Sequence, residues 1–148
     1  MNRRARGLGV VQTFFLNETG LDVSASTAGA YGSAKDIAAL LAFVAEDVPE
    51  LVERSTQTSW TAASQNGVTH TADNTSLLAS TFAASVVSKT GYTDLAGGNL
   101  AFVFEPIPAR PVAVVVLGST RDGRSTDART IAEYARDILR VGITCRTL

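Results

Sequence analysis

Three short apolar segments in the second half of this 148-residue chain constrain the fold more than any other feature. Residues 86–91 begin with β-branched side chains, residues 100–105 have the alternating pattern of a strand, and residues 112–117 are an apolar, mostly β-branched run between a proline and a glycine. The link at residues 106–111 is short enough for an antiparallel hairpin. The sequence therefore predicts a sheet of three antiparallel strands.

Helices are predicted on both sides of this series of strands. Ser33 is a good N-cap with Asp36 three residues later, and the apolar spacing that follows predicts an amphipathic helix over residues 34–45. Ser125 or Thr126 is expected to cap a final helix that covers the sheet. The apolar stripe of that helix comprises Ala128, Ile131, Ala132, Tyr134, Ala135, Ile138 and Leu139. The predicted fold class is therefore α+β: about three antiparallel strands, a C-terminal helix across them and a helical region before them.

The segment between the first helix and the first strand gives weaker signals. Pro49 is expected to open a short second helix, with Leu51 and Val52 facing inward. Residues 55–74 are rich in Ser, Thr, Gln and Asn around Trp60, a lone large apolar anchor. Either a β-hairpin or a long surface loop fits this segment.

Composition bounds the number of domains and the classes of partner. With 45% apolar and 18% charged residues the chain can bury one ordinary core, so we expect one domain, with a helical and loop part at residues 1–85 and a sheet and helix at residues 86–140. A formal net charge of −1 gives no electrostatic argument for nucleic acid. The single cysteine, Cys145, has no partner for an internal disulfide. No apolar run reaches the roughly 18 residues that span a bilayer, and no signal peptide is recognised.

The first predicted strand carries side chains suited to binding an anion. Lys89 offers a fixed positive charge, Thr90 a hydroxyl, and Gly91 a backbone without a Cβ that another chain can approach closely. Together they suit a peptide carboxylate. The alternative is structural: a solvated lysine on an edge strand, followed by ordinary strand residues and a bulge.

The residues around this triplet form an ordered series that resembles a known family. Residues 89–94 with residues 96–100 resemble the third active-site motif of the serine D-alanyl-D-alanine carboxypeptidases, the low-molecular-mass penicillin-binding proteins. Similar segments occur in the family's order along nearly the whole chain: three lie before the triplet, at residues 17–22, 29–36 and 74–78, and one lies after it, at residues 118–124. The resemblance implies part of a penicillin-binding-protein or β-lactamase-like domain.

Two active-site motifs of that family are not placed in this chain. The family needs a Ser-x-x-Lys motif, in which the serine is the nucleophile, and a Ser-x-Asn motif. The chain has Gly32 three residues before Lys35 and Val86 three residues before Lys89, so no serine stands at the required spacing. The resemblance therefore implies the C-terminal part of a carboxypeptidase domain, which lacks the nucleophile and is inactive alone.

The resemblance assigns roles to the residues that are present. The substrate peptide would lie along the strand of the triplet as an added antiparallel strand, with Lys89 and Thr90 holding the terminal carboxylate beside Gly91. Lys89 would also have a catalytic role, because its charge keeps the local potential positive for the proton shuttle. The backbone N–H of Tyr92 would be one oxyanion-hole donor. Arg124, expected in the loop after the third strand, is either a second contact to the carboxylate or a surface charge.

Partners and location also follow from the resemblance alone. The implied substrate is a peptidoglycan stem peptide ending in D-Ala-D-Ala, with no metal or cofactor, and β-lactams would bind only if the missing N-terminal part is present. The family acts outside the cytoplasmic membrane. His70 is read as a surface or loop residue, Asn74 as closing a turn and Cys145 as incidental. A non-catalytic module of the same ancestry, which binds peptide or packs against another chain, is the alternative function, and self-association through an exposed sheet is expected.

Overall fold

A computed structural model describes residues 1–78, 81–82 and 85–142 of the chain. Cys145 lies outside these residues. The helices are α1 (Asn2–Gly7), α2 (Ala34–Asp47) and α3 (Gly123–Arg140), with a first 3₁₀ helix at Pro49–Leu51 and a second 3₁₀ helix at Glu53–Thr56. The strands are β1 (Phe14–Phe15), β2 (Ala30–Tyr31), β3 (Ser59–Ala63), β4 (Thr69–Asp73), β5 (Ser85–Thr93), β6 (Gly97–Ile107) and β7 (Arg110–Ser119).

The central sheet has the order β5-β6-β7 with both pairs antiparallel. This confirms the predicted α+β class and its three strands, each of which is longer than its apolar pattern. The strands extend because their ladders continue into polar residues: Thr93 pairs with Gly97, and Ile107 pairs with Arg110 around a two-residue turn. Ala109, the second residue of that turn, has a φ of 59°, the sign that a type II turn needs at this position after a proline.

One apolar core lies between the sheet and α3. Leu100, Phe102 and Phe104 of β6 are at most 2% exposed, and they pack with Ala128 and Ala132 of α3, which are fully buried. Each large side chain buried in this way contributes about 1.5–3 kcal/mol. Because the two alanines are small, α3 can lie close to the sheet.

The start of α3 corrects the predicted cap. The helix begins at Gly123, so Ser125 and Thr126 lie inside it, and Ser125 is buried. Thr120 supplies the acceptors for the first turn: its Oγ1 accepts the Gly123 N–H at 2.9 Å and its carbonyl accepts the Arg124 N–H at 3.1 Å. Thr120 therefore caps α3, and the predicted cap at Ser125 or Thr126 is wrong.

The predicted stripe of α3 is also too wide. Ile131 is 45% exposed and Tyr134 is 68% exposed, whereas Ala128 and Ala132 are buried. At about 100° per residue, Ile131 and Tyr134 lie roughly 60° and 120° away from Ala128 around the helix axis. Three strands cover only the narrower alanine face.

Helix α2 packs on the opposite face of the sheet, against β6 and β7. Its start confirms the predicted cap, since Ser33 Oγ accepts the Asp36 N–H at 3.1 Å. The Asp36 carboxylate is buried and accepts the Gln12 N–H at 2.6 Å and the Thr13 hydroxyl at 3.0 Å. The helix is thereby joined to the segment that precedes β1.

Of the two readings of residues 55–74, the hairpin is the one observed. Strands β3 and β4 pair antiparallel through a turn in which Gly67 has a φ of +80°. Trp60 is 43% exposed and stacks under the Arg54 guanidinium, 4.4 Å from the ring centroid, so it is not a core anchor. Leu51, predicted to face inward, is 74% exposed because it borders an open cavity. Among the described residues, no helix has both the length and the apolar character to cross a membrane.

Candidate functional site

Strand β5 carries the Lys-Thr-Gly triplet at one edge of the central sheet. In its ladder with β6, Lys89 lies opposite Ala101 and Thr90 lies opposite Leu100. Directly opposite side chains share a face of the sheet. Thr90 is therefore on the face of α3 and the buried core, and Lys89 is on the face of α2.

The outer edge of β5 is closed at one end and open at the other. The Ser88 N–H donates to Ser55 Oγ of the second 3₁₀ helix at 3.0 Å, so this amide points away from β6. In an antiparallel pair, alternate residues direct their N–H and C=O groups to the same edge. Thr90 and Tyr92 therefore direct theirs outward, where no strand among the described residues pairs with them.

Lys89 lies at the start of this open stretch. Its side chain is exposed, and Nζ donates to the Thr90 carbonyl oxygen on the outer edge. Among the residues that the structure describes, no acidic side chain lies within ion-pair distance of Lys89. Its charge is thus available to an anion that approaches the edge.

Hydroxyl groups brace β5 against the segment that follows β4. Thr90 Oγ1 lies 2.6 Å from Thr75 Oγ1, and Ser88 Oγ donates to Ser76 Oγ at 2.5 Å. Both Ser76 and Ser88 are buried. The sequence pointed to residues 74–78 only as part of the family resemblance, and nothing in their pattern predicted these cross-contacts.

Asn74 links the same segment to the second 3₁₀ helix. Its Nδ2 donates to the Ser55 carbonyl at 2.7 Å and to the Gln57 carbonyl at 2.8 Å, and its Oδ1 accepts the Ser76 N–H at 2.8 Å. The expected turn at Asn74 is present. In addition, this amide fixes the position of Ser55 relative to β5.

Arg124 is not in a loop, contrary to the expectation. It lies in the first turn of α3, is 9% exposed, and donates from Nη1 to the Gly91 carbonyl at 2.8 Å. The earlier start of α3 moves this residue into the helix and under β5. In this arrangement Arg124 holds the backbone of the triplet and is not an exposed surface charge.

Gly91, the last residue of the triplet, and Tyr92 follow Thr90 along β5. A Cβ built on Gly91 would meet only Asn99 Cβ, at 3.8 Å, so the described residues leave open space at this position. The Tyr92 side chain is 48% exposed and lies beside the Arg121 guanidinium, 5.7 Å from the ring centroid. The room beside Gly91 suits the close approach of another backbone.

Two cavities border the triplet. A cavity of about 480 Å³ lies between α2 and the sheet and reaches Lys89; its apolar lining includes Ile37, Leu40, Val44, Leu51, Ala101 and Leu117. A groove of about 270 Å³ runs along the outer edge, where Lys89 and Thr90 face Arg54, Trp60, Asp73 and Asn74. The triplet therefore lies between an apolar cavity and a polar groove.

The remaining candidates are not part of this arrangement. His70 is exposed on β4, opposite Ala62, as its surface assignment requires. The described residues contain no cluster of three His, Cys, Asp or Glu side chains that could hold a metal ion. One Ser-x-Asn triplet does occur in the sequence, at residues 64–66. It forms the β3–β4 turn, where Ser64 Oγ donates to Asn66 Oδ1 at 2.5 Å.

The site thus lies on the open edge strand of an antiparallel sheet between two helical layers, with Lys-Thr-Gly on that strand. The family model of D-alanyl-D-alanine carboxypeptidases, peptidase family S11, matches residues 1–121. The chain belongs to this family. A search of curated proteins found no match.

Solved structures of similar fold cover most of this chain. A penicillin-binding protein from Listeria monocytogenes in its cefotaxime-bound form is 27% identical over 89% of this chain and 51% of its own, with a TM-score of 0.73. A D-alanyl-D-alanine carboxypeptidase from Mycobacterium tuberculosis is 21% identical over 90% of this chain and 51% of its own, with a TM-score of 0.67, and shows the fold alone. The chain thus spans about half the length of these proteins.

Proposed function

We propose that this chain supplies the substrate-binding half of a serine D-alanyl-D-alanine carboxypeptidase site. It binds peptidoglycan stem peptides that end in D-Ala-D-Ala along β5, and it is inactive alone because it has no Ser-x-x-Lys nucleophile. The observation that carries this proposal is the open edge at Thr90 and Tyr92 with the charge of Lys89 beside it, which no acidic side chain in the described part of the chain pairs. The family's location outside the cytoplasmic membrane is proposed for the protein as well.

The direction of β5 determines where each end of such a peptide lies. A peptide added antiparallel to β5 has its C-terminus toward the Ser88 end of the strand. Its terminal carboxylate therefore arrives next to Lys89 and the Thr90 hydroxyl. The preceding carbonyl lies nearer to Tyr92, whose N–H faces the same edge.

This arrangement can hold and polarise the scissile bond. Lys89 offsets the charge of the carboxylate, and the Tyr92 N–H donates to the oxygen that becomes negative during acyl transfer. Loss of one such donor typically costs about 3 kcal/mol in the barrier. The serine that attacks, and the lysine that takes its proton, must come from residues outside this chain's sequence.

Binding can be tested with the two lysines of the chain. In NMR titrations with N-acetyl-D-Ala-D-Ala, we expect the amide signals of Gly91 and Tyr92 to shift. Lys89→Met should weaken binding by about tenfold or more, because a charge-assisted hydrogen bond contributes roughly 1.5–3 kcal/mol. Lys35→Met is the matched control, since Lys35 is exposed on α2 and lines neither the groove nor the cavity beside the triplet. Equal loss in both variants, or no shift at all, would contradict the proposal.

Catalytic incompetence has a separate test. Incubation with a fluorescent penicillin should leave the isolated chain unlabelled, because acylation requires the activated serine. Mass spectrometry of the treated protein measures this directly. An acylated serine would show that the chain contains a nucleophile that its sequence pattern does not reveal.

A second function, packing against another chain, is favoured by the apolar cavity. The side chains between α2 and the sheet leave about 480 Å³ open beside Lys89, and Leu51 at its rim is 74% exposed. A non-catalytic packing module would associate without binding the peptide. The titration described above separates the two functions.

A further inference from the structure

We propose that the second 3₁₀ helix, Glu53–Thr56, is a stop that restricts the β5 edge to peptides ending in a free carboxylate, with Ser55 as the positioning residue. This rests on the proposed function, because it concerns the same edge. It adds the structural origin of selectivity for the end of a chain. The observation that carries it is the bond from the Ser88 N–H to Ser55 Oγ.

An added strand needs a continuous row of free backbone groups. On β5 the outward groups alternate, so they belong to Ser88, Thr90 and Tyr92. The Ser88 N–H is taken by Ser55 at 3.0 Å, while those of Thr90 and Tyr92 face the open edge. A peptide that pairs with Tyr92 and Thr90 therefore cannot continue past Ser88.

Several hydrogen bonds fix the position of the second 3₁₀ helix and of Ser88 in addition to the bond between them. Asn74 donates to the carbonyls of Ser55 and Gln57 at 2.7 and 2.8 Å, and the second 3₁₀ helix packs against β5. Ser88 itself is fixed by its hydroxyl, which donates to Ser76. Both partners of the closing bond are thus anchored by the Asn74–Ser76 segment.

The charges around the stop suit an anionic end. Lys89 and Arg54 both line the groove at this end of the edge, and Asp73 is the one carboxylate that lines it with them. The Arg54 guanidinium is held over Trp60 at 4.4 Å, and the described residues place no acidic side chain within ion-pair distance of it. A capped or extended chain would bring neutral groups to a place where two cations lie.

The test compares a free and a blocked C-terminus. The probes are N-acetyl-D-Ala-D-Ala and the same peptide as its C-terminal N-methylamide, and binding is measured from the Tyr92 amide signal and from the fluorescence of Trp60, the only tryptophan. Wild type should prefer the free acid by about tenfold or more, since a site built for a charged group rejects an analogue that lacks it. Ser55→Gly removes the hydroxyl and opens the edge. Its preference should fall by about threefold or more, because the N-methyl group then has room beyond Ser88, while the charges of Lys89 and Arg54 still favour the acid.

Two control variants isolate the role of Ser55. Thr56→Ala lies in the same short helix, and the Thr56 hydroxyl donates to the Glu53 carbonyl within that helix, so this variant should keep the wild-type preference. Ser55→Thr retains the hydroxyl and should keep it too. An unchanged preference in Ser55→Gly, or a wild type that binds both probes equally, overturns the stop while peptide binding stands. Failure of wild type to bind the free acid overturns the proposed function and the stop together.

Discussion

At the scale of single residues, the three members of the triplet contribute different chemical groups to the site. Lys89 contributes a charge on the α2 face, Thr90 a hydroxyl bonded to Thr75 on the α3 face, and Gly91 a carbonyl held by Arg124. Lys89 Nζ also donates to the Thr90 carbonyl, but an ammonium group has three N–H donors, so its charge can meet a ligand while that bond is kept. Lys89 is therefore the residue on which binding depends most directly.

Arg124 gives a residue-scale prediction about stability. Arg124→Met removes the buried donor to the Gly91 carbonyl and should lower the free energy of unfolding by about 1–3 kcal/mol, because the half-buried acceptor loses its charged partner. Urea unfolding followed by circular dichroism measures the change. Arg129→Met, on an exposed position of the same helix, should change it by less than about 0.5 kcal/mol. Equal effects of the two substitutions would mean that Arg124 has no special structural role.

At the scale of elements, the strands and the start of α2 were predictable, whereas the start of α3 was not. The Ser33 cap of α2 and the three strands follow from local sequence, because side chains two to four residues apart decide them. The start of α3 depends on Thr120, which lies before the helix in a segment with no helical pattern. Because the helix was predicted to begin later than it does, Arg124 was predicted in a loop, although it lies in the first turn of α3.

The site was predictable in part for the same reason. Lys89 and Thr90 stand out as a charged and hydroxylated end to an apolar strand. Ser55 and Thr75 do not stand out, since they lie in a polar segment where such residues are common. Ser55 is 33 residues from its partner Ser88, and Thr75 is 15 residues from its partner Thr90, so only the folded chain brings them together. Contacts of this kind depend on the tertiary fold and leave no periodic signal.

At the scale of the whole molecule, the two faces of the sheet differ. The face under α3 holds a sealed core, whereas α2 buries none of its apolar side chains fully and leaves a cavity of about 480 Å³. Apolar surface of this kind marks an interaction site. The molecule is therefore firmly packed on one side of the triplet and incompletely covered on the other.

This asymmetry predicts self-association of the isolated chain. Sedimentation velocity should show a weight-average mass that rises with concentration. Leu51→Lys, at the rim of the cavity, should weaken association by about tenfold, because burying a leucine contributes roughly 1.5–3 kcal/mol. Leu16→Lys is the control, since Leu16 is 47% exposed and does not line the cavity. A monomer at all concentrations, with one sharp thermal transition, would contradict the prediction.

The bond between Ser88 and Ser55 has a further consequence for how the protein behaves at high concentration. Open strand edges are templates on which sheets of different molecules add to one another without limit. Here the open stretch runs only from Thr90 to Tyr92, about 7 Å at roughly 3.4 Å per residue. That length suits a dipeptide, so the closed end at Ser88 limits how far a strand of another molecule can add along β5, whereas the other edge of the sheet belongs to β7.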